Sequence, residues 1–163
     1  MCACATTLCQ NDCTCVPVIQ DDPARIIFRT GKPDLLKLHG RLFPSTPLDA
    51  PFSNIRMTLS NAAGVIWEGF LQPGDCAPNR LETRCKFKDR GAAKGQPIRD
   101  GISLFKLRNS KTNGAVLFQM KAFSDDLAAA TDPIMTFEVQ IGDDRFATHG
   151  VWSPRQNGWI FIF

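Results

Sequence analysis

Apolar and polar residues alternate with a period of two along much of the chain, which is the pattern of a β-strand that buries one face. Between residues 36 and 42, for example, three leucines and a glycine alternate with Lys37, His39 and Arg41. Polar segments such as Asn61-Ala-Ala-Gly64 separate these runs, as hairpin loops do. Residues 124–131 are the one stretch suited to a helical turn, so the pattern predicts an all-β protein.

The alternating runs form two series of five, which suggests a weak internal repeat. Corresponding runs are offset by roughly 75–80 residues, and in each series a long proline-containing loop follows the second run. The repeat reflects either a duplication or the matches that any all-β chain offers by chance. The first series is Ile26–Phe28, Leu36–Phe43, Ile55–Leu59, Val65–Leu71 and Arg84–Lys88, and the second is Ile102–Leu107, Val116–Phe123, Ile134–Ile141, Arg145–Trp152 and Trp159–Phe163.

Strands with one apolar face are ordinarily closed into two packed sheets. We therefore predict a two-sheet β-sandwich of about ten strands over residues 24–163, with 24–90 and 101–163 as possible halves. Residues 1–23 contain two prolines and little apolar surface, and we expect them to form an extended, cysteine-rich leader.

Five of the seven cysteines lie in this leader, and the other two, Cys76 and Cys85, flank a loop between two predicted strands. We predict a disulfide between Cys76 and Cys85; the alternative pairs Cys76 with the leader and leaves Cys85 as a buried thiol. A leader with no core of its own needs covalent fastening, so its cysteines are also predicted to form disulfides. Because the total is odd, one cysteine stays free, takes a metal or bonds another chain. The leader cysteines are Cys2, Cys4, Cys9, Cys13 and Cys15.

Some cysteines of the leader are separated by the number of residues usual between zinc ligands. No second pair of ligands follows at a suitable distance. The acidic pairs Asp125/Asp126 and Asp143/Asp144, with Asp132, can supply oxygen ligands to calcium, although no EF-hand pattern is present. Solvated loops explain these residues equally well. We therefore expect no metal site and no cofactor.

No arrangement of residues in the sequence indicates catalysis. His39 falls on the polar face of its predicted strand, and His149 lies in a predicted strand far from it, so both are expected to be structural. No serine lies in a nucleophile elbow, and no glycine-rich loop for phosphate is present. We expect no catalytic residues, and the protein is predicted not to be an enzyme.

Charge is distributed unevenly although the net charge is only +3. Residues 80–111 hold ten lysines and arginines against three acidic residues, whereas residues 112–150 hold two against six. These segments are either two solvated faces or complementary surfaces for head-to-tail contacts. Few aromatic residues accompany the basic segment, which argues against a platform for single-stranded nucleic acid.

Three of the runs, together with the closing tryptophan-containing strand, resemble uncharacterised repeat modules of large secreted bacterial proteins. These runs are Leu35-Leu-Lys-Leu-His-Gly-Arg41, Cys85-Lys-Phe-Lys-Asp89 and Met135-Thr-Phe-Glu-Val-Gln-Ile-Gly-Asp143. The resemblance covers about residues 24–163. It implies an exported β module, and it carries no catalytic or binding residues.

Together these features predict an extracellular or cell-surface structural and interaction module. We expect a self-assembling subunit of a surface array or filament, joined to its neighbours through the leader by at least one inter-chain disulfide. We expect no nucleic-acid partner and no transmembrane segment, because no apolar run approaches the length that a spanning helix needs. The alternative is a carbohydrate- or calcium-dependent binding module that uses exposed aromatic residues such as Trp67 or Trp152.

Overall fold

A computed structural model describes the backbone of residues 7–9, 15–17, 20–79, 84–110 and 114–162, and the side chains of residues 23–79, 84–110 and 114–162. The described residues form strands and three short 3-10 turns, with no α-helix among them. The strands are β1 (Thr7–Cys9), β2 (Cys15–Pro17), β3 (Gln20–Ile27), β4 (Asp34–Leu42), β5 (Ile55–Asn61), β6 (Gly64–Leu71), β7 (Ala77–Pro78), β8 (Arg84–Lys88), β9 (Ile102–Asn109), β10 (Val116–Ser124), β11 (Ile134–Ile141), β12 (Asp144–Val151), β13 (Ser153–Arg155) and β14 (Gly158–Phe161).

The strands form a sandwich of two antiparallel sheets, as the alternation predicts. The large sheet has eight strands in the order β13-β14-β3-β4-β10-β9-β8-β7, and the small sheet has four in the order β12-β11-β5-β6. All ten predicted strands are present, and β7 and β13 are short additional strands at the two edges of the large sheet. The predicted helical turn is the 3-10 turn Asp125–Ala129, which Ser124 caps by accepting a hydrogen bond from the Asp126 amide.

The strand order has an internal two-fold symmetry. If β3 to β8 are exchanged with β9 to β14 in chain order, the orders of both sheets remain unchanged. The centre of the large sheet is the pair β4–β10, and the centre of the small sheet is the pair β5–β11. Each half gives its last strand to the other half, because β8 pairs with β9 and β14 pairs with β3. The halves are therefore interleaved in both sheets.

The core lies between the two sheets and consists of their inward-facing apolar residues. Phe118 of the large sheet stacks on Phe137 of the small sheet with ring centroids 6.0 Å apart, and Phe105 meets the edge of Phe118 at 5.9 Å. Burial alternates along β4 and β10, so every second side chain of these strands faces away from the core. These outward side chains decide the surface that the large sheet presents.

The sheet extends four residues before the predicted start of the domain, because β3 begins at Gln20. Within the leader, β1 and β2 pair as a short antiparallel ribbon that lies beside β12, the edge of the small sheet. The register of the ribbon places Cys9 opposite Cys15. Cys2, Cys4 and Cys13 lie outside the described residues, so disulfides within the leader or to another chain stay predictions.

Candidate functional site

The outward face of the large sheet carries nine lysines and arginines on five adjacent strands. Strand pairing fixes which residues share this face, because residues opposite each other across a sheet point to the same side. We call this surface the basic face. Its cations are Arg25 on β3, Lys37 and Arg41 on β4, Lys121 on β10, Lys106 and Arg108 on β9, and Arg84, Lys86 and Lys88 on β8.

Like charges lie directly opposite each other in four pairs on the basic face, of which Arg25 and Lys37 on β3 and β4 form one. Lys37 is the register partner of Lys121 on the central strand pair. Lys86 and Arg84 of β8 are the partners of Lys106 and Arg108 of β9. Directly opposite side chains have Cβ atoms about 4.5–5.5 Å apart, and like charges in this position destabilise a sheet.

Carboxylates do not relieve this repulsion within the part of the chain whose side chains are described. The ion pairs there involve Arg56, Arg99 and Arg145, and none involves a cation of the basic face. The strands β4, β8, β9 and β10 contain one carboxylate, Asp34, which is buried and accepts a hydrogen bond from the Arg29 amide. The cations of the basic face therefore have no carboxylate partner among these side chains, and the register of β3 places one aspartate, Asp22, opposite His39.

A shallow basin lies near the centre of the basic face, beside the central strand pair β4–β10. His39 and Gln119 are register partners there, and their Nε2 atoms lie 3.2 Å apart. Leu117 supplies an aliphatic surface, while Lys106 and Arg108 lie at one side. The basin has a volume of about 230 Å³. It can therefore accept a small polar group and place an anionic substituent against two cations.

The outward face of the small sheet differs because its charges alternate in sign. One charged residue per strand forms a chain across β6, β5, β11 and β12: Glu68, Arg56, Glu138 and Arg145. Arg56 Nε donates to Glu68 Oε2 over 3.1 Å, and Arg145 Nε lies 2.9 Å from Glu138 Oε1. The hydrogen bond to Glu68 is the main reason that the pKa of Arg56 is raised, and the charge of Glu138 adds to it. We call this surface the paired face.

A third ion pair holds a loop beside the large sheet. Arg99 Nε donates to Asp75 Oδ2 over 2.6 Å and Arg99 Nη2 donates to Asp75 Oδ1 over 3.1 Å. The hydrogen bond from Arg99 is the largest cause of the lowered pKa of Asp75, and the amide of Gln72 donates to the same carboxylate. The carboxylate therefore ties residues 72–75 to the segment before β9.

The predicted disulfide between Cys76 and Cys85 is present, with the two Cα atoms 5.3 Å apart. Both residues are buried, and Cys85 lies on the core face of β8. The bond links the segment before β7 to the strand that carries Arg84, Lys86 and Lys88. It therefore fastens one edge of the basic face.

The expectation of exposed tryptophans at a binding surface was wrong. Trp67 is 3% exposed and Trp152 is 1% exposed. Trp67 donates from Nε1 to the carbonyl of Asp100 over 3.1 Å, whereas Trp152 stacks on Phe161 at 5.5 Å. The regular part of the pairing of β5 with β6 places Trp67 opposite buried Leu59, on the same inward face as Gly69 and Leu71.

Two of the five acidic residues considered as calcium ligands stabilise their own loops. Asp126 lies in the capped 3-10 turn, and Asp132 Oδ1 accepts the Ile134 amide over 2.7 Å. Among the side chains that the structure describes, no three His, Cys, Asp or Glu residues come together as a metal site. His149 faces outward from the paired face, and its Nδ1 lies 2.7 Å from Thr136 Oγ1.

Two larger cavities lie away from the centre of the basic face. One, of about 530 Å³, is lined by the proline-rich segment 44–52 and by residues near the ends of β9 and β10. The other, of about 420 Å³, has an acidic lining that includes Glu68, Asp100, Asp125 and Asp126. Glu68 binds Arg56, and Asp100 Oδ2 accepts the Phe70 amide over 2.9 Å, so two of these carboxylates already have partners.

The sequence indicated only half of the basic face. The basic segment 80–111 contains five of its nine cations, but Arg25, Lys37, Arg41 and Lys121 come from other parts of the chain. The available signal was that the polar positions of several alternating runs are basic. Which of these positions lie opposite each other depends on strand order, and neighbouring residues do not determine that order.

No helix in the described residues is long and apolar enough to cross a membrane. Comparisons with protein families, with characterised proteins and with solved structures find no match to this chain. The resemblance to repeat modules of secreted proteins therefore stays a prediction.

Proposed function

We propose that the protein is an extracellular interaction module that binds an acidic partner through the basic face. The observation that carries this proposal is the four opposed like-charged pairs, whose cations form no ion pair among the described side chains. A sheet with that surface has a strong positive potential, which attracts anionic partners and speeds their association. The paired face shows that the same chain neutralises sheet charges elsewhere.

The proposed location rests on the cysteines. A disulfide between Cys76 and Cys85 persists in an oxidising compartment, and the five leader cysteines are in keeping with export. Cell surfaces and extracellular matrices are rich in acidic polymers, so this location also supplies partners of the required charge. Assembly through the leader is a separate prediction, and binding by the basic face does not depend on it.

A pair of charge-reversal variants tests the proposal. Lys86→Glu/Lys106→Glu changes one opposed pair of the basic face, while Lys32→Glu/Lys94→Glu makes the same change in net charge at two exposed loop lysines. Binding to immobilised polyglutamate and heparin is measured by surface plasmon resonance at several salt concentrations. We expect the affinity of the first variant to fall roughly a hundred-fold at low salt, because two cations that contact the polymer become anions. The affinity of the second variant should change little, because its two lysines lie outside the basic face.

Thermal melts of both variants ensure that lost binding does not reflect unfolding. If neither polymer binds the wild type at low salt, or if both variants lose the same affinity, the basic face is not the binding surface. Affinity that falls steeply with salt for the wild type, and less steeply for Lys86→Glu/Lys106→Glu, supports the proposal.

A further inference from the structure

We infer that the acidic partner is a polysaccharide that lies across the strands of the basic face with one sugar unit in the central basin. This inference rests on the proposed function and names the class of its ligand. Four features support it. They are the residues that line the basin, the width of the charged surface, the lack of exposed aromatic rings on its described strands, and the partners that the chain's own carboxylates already have.

The basin combines polar side chains with cations. An amide and an imidazole, Gln119 and His39, meet at 3.2 Å on its floor. Sugar hydroxyls donate and accept hydrogen bonds, and amide and imidazole groups are suited to both roles. Leu117 offers an aliphatic surface for the C–H groups of a sugar ring, and Lys106 and Arg108 can bind a carboxylate or sulfate on it. A simple anion would use only the two cations, and the amide, imidazole and aliphatic groups of the basin would not contribute to its binding.

The charged surface is wider than one anionic group. The cations occupy five adjacent strands from β3 to β8, which is about 19 Å at the usual spacing between strands. Arg25, Lys37 and Lys121 form one row across the strands, and Lys106 and Lys86 continue the adjacent row, which contains His39 and Gln119. A linear polymer with repeated charges can contact both rows at once, so affinity is expected to rise with its length.

Nucleic acid fits this surface less well. Proteins that bind single strands present aromatic rings on which bases stack. On the described strands of the basic face, the outward aromatic ring of β10 is Phe123, which is only 6% exposed. Lys121 Nζ lies 5.0 Å from the centre of that ring and the Arg29 guanidinium lies 5.5 Å from it, so cations cover it.

A second copy of the chain also fits less well. Two of the four carboxylates in its acidic cavity are engaged, since Glu68 binds Arg56 and Asp100 accepts a hydrogen bond from the Phe70 amide. On its paired face, Glu138 is bound to Arg145. Docking any of these groups on the basic face would break an existing interaction in the partner copy.

The experiment compares three polymers and one uncharged substitution. Heparin oligosaccharides of increasing length, oligodeoxythymidylate and polyglutamate of matched charge are titrated into full-length protein, and binding is measured by isothermal calorimetry. Gln119→Leu removes the amide from the basin without changing the net charge. Gln140→Leu is the matched control on the paired face, where Gln140 is half-buried on β11.

We expect heparin to bind most tightly, with affinity that increases with length. Gln119→Leu should weaken heparin binding by about five-fold, the effect of one lost hydrogen bond, and should leave polyglutamate binding unchanged. Gln140→Leu should change neither. Tighter binding of oligodeoxythymidylate or polyglutamate, or an equal effect of Gln119→Leu on all three polymers, would overturn the polysaccharide assignment.

Sedimentation velocity of the protein alone tests whether the partner is a second copy of the chain. Self-association that Lys86→Glu/Lys106→Glu abolishes would show that the basic face binds a second copy, and it would also overturn the polysaccharide assignment. The charge-reversal measurement is independent of this result. It can confirm an acidic partner while the polymer comparison rejects a polysaccharide, so failures of the two proposals are distinguishable.

Discussion

The two outer faces of the sandwich show opposite solutions to the same problem. The paired face alternates charge from strand to strand, so Arg56 lies between Glu68 and Glu138 and each cation has a carboxylate beside it. The basic face places lysine opposite lysine and arginine opposite arginine. Both faces belong to antiparallel sheets of one chain, so sheet geometry does not require the second arrangement.

The difference between the faces carries a cost in stability. Opposed like charges destabilise a sheet, whereas an opposed pair of opposite charges stabilises it by about 0.2–1 kcal/mol. Four pairs of like charges without an ion-pair partner among the described side chains form a local conflict of the kind that natural proteins keep at functional sites. The paired face has no such conflict, and we propose no ligand for it.

Loss of the disulfide should have the largest effect on stability. Cys76→Ala/Cys85→Ala opens a loop whose ends are separated by 9 residues. We expect the free energy of unfolding to fall by roughly 2–3 kcal/mol, measured by urea denaturation. If the arrangement of cations on β8 matters, affinity for polyanions falls in the folded variant as well, whereas the paired face is unaffected. An unchanged unfolding midpoint would contradict a structural role for the bond.

The ion pair of Asp75 with Arg99 should rank second. Asp75→Asn is expected to lower the melting temperature by about 2–4 °C near neutral pH, because the bidentate contact loses its charge. The pKa of Asp75 is lowered from 3.8 in the folded protein, so this stabilisation is present above that value and is lost as pH falls through the folded pKa.

Melting curves at several pH values check that assignment. The difference between wild type and Asp75→Asn should shrink as pH falls from about 5 to about 2. A difference that is constant over this range would mean that the carboxylate charge contributes nothing. This ion pair lies on neither face. It therefore shows how much an ion pair stabilises this protein when it is not part of a sheet.

A single charge reversal on the basic face should stabilise the protein. Lys86→Glu replaces one opposed like-charged pair with an ion pair to Lys106, and we expect a gain of about 0.5 kcal/mol at low salt. The same variant should bind polyanions more weakly than the wild type. High salt should remove the gain through screening. A variant that is less stable at low salt would show that the lysines do not repel each other.

The smallest effect is expected on the paired face. Arg56→Gln removes one exposed ion pair, and the melting temperature should fall by about 1 °C or less. Affinity for heparin should stay the same within error. A large loss of binding in this variant would mean that the two faces do not have separate functions.

Much of the fold follows from the sequence. The period-two alternation identified the ten main strands, and the spacing of Cys76 and Cys85 identified the disulfide. Local sequence also placed Lys37 and Lys121 on polar faces. It did not place them opposite each other, because that contact joins two strands from different halves of the chain. The basic face therefore became visible only when the strand order was known.

The prediction that Trp67 and Trp152 are exposed was wrong for a different reason. Alternation shows which residues of a strand share a face, but not which face the other sheet covers. Trp67 shares its face with Gly69, where a Cβ atom would lie 2.5 Å from the indole, and with Leu71, and that face lies against the core. Trp152 follows β12 and packs on Phe161 of β14. Its partner lies on another strand, which neighbouring residues do not identify.

The exchange of final strands between the halves sets the order of events during synthesis. Strand β3 is synthesised early, but its partner β14 contains residues 158–161. Ile27 therefore cannot pair with Gly158 until late in synthesis. Such distant pairings slow folding and leave an unpaired edge open in the meantime. The growing chain cannot complete the large sheet on the ribosome until nearly all of these residues have emerged. The β3 edge of the large sheet is therefore among the last to be covered.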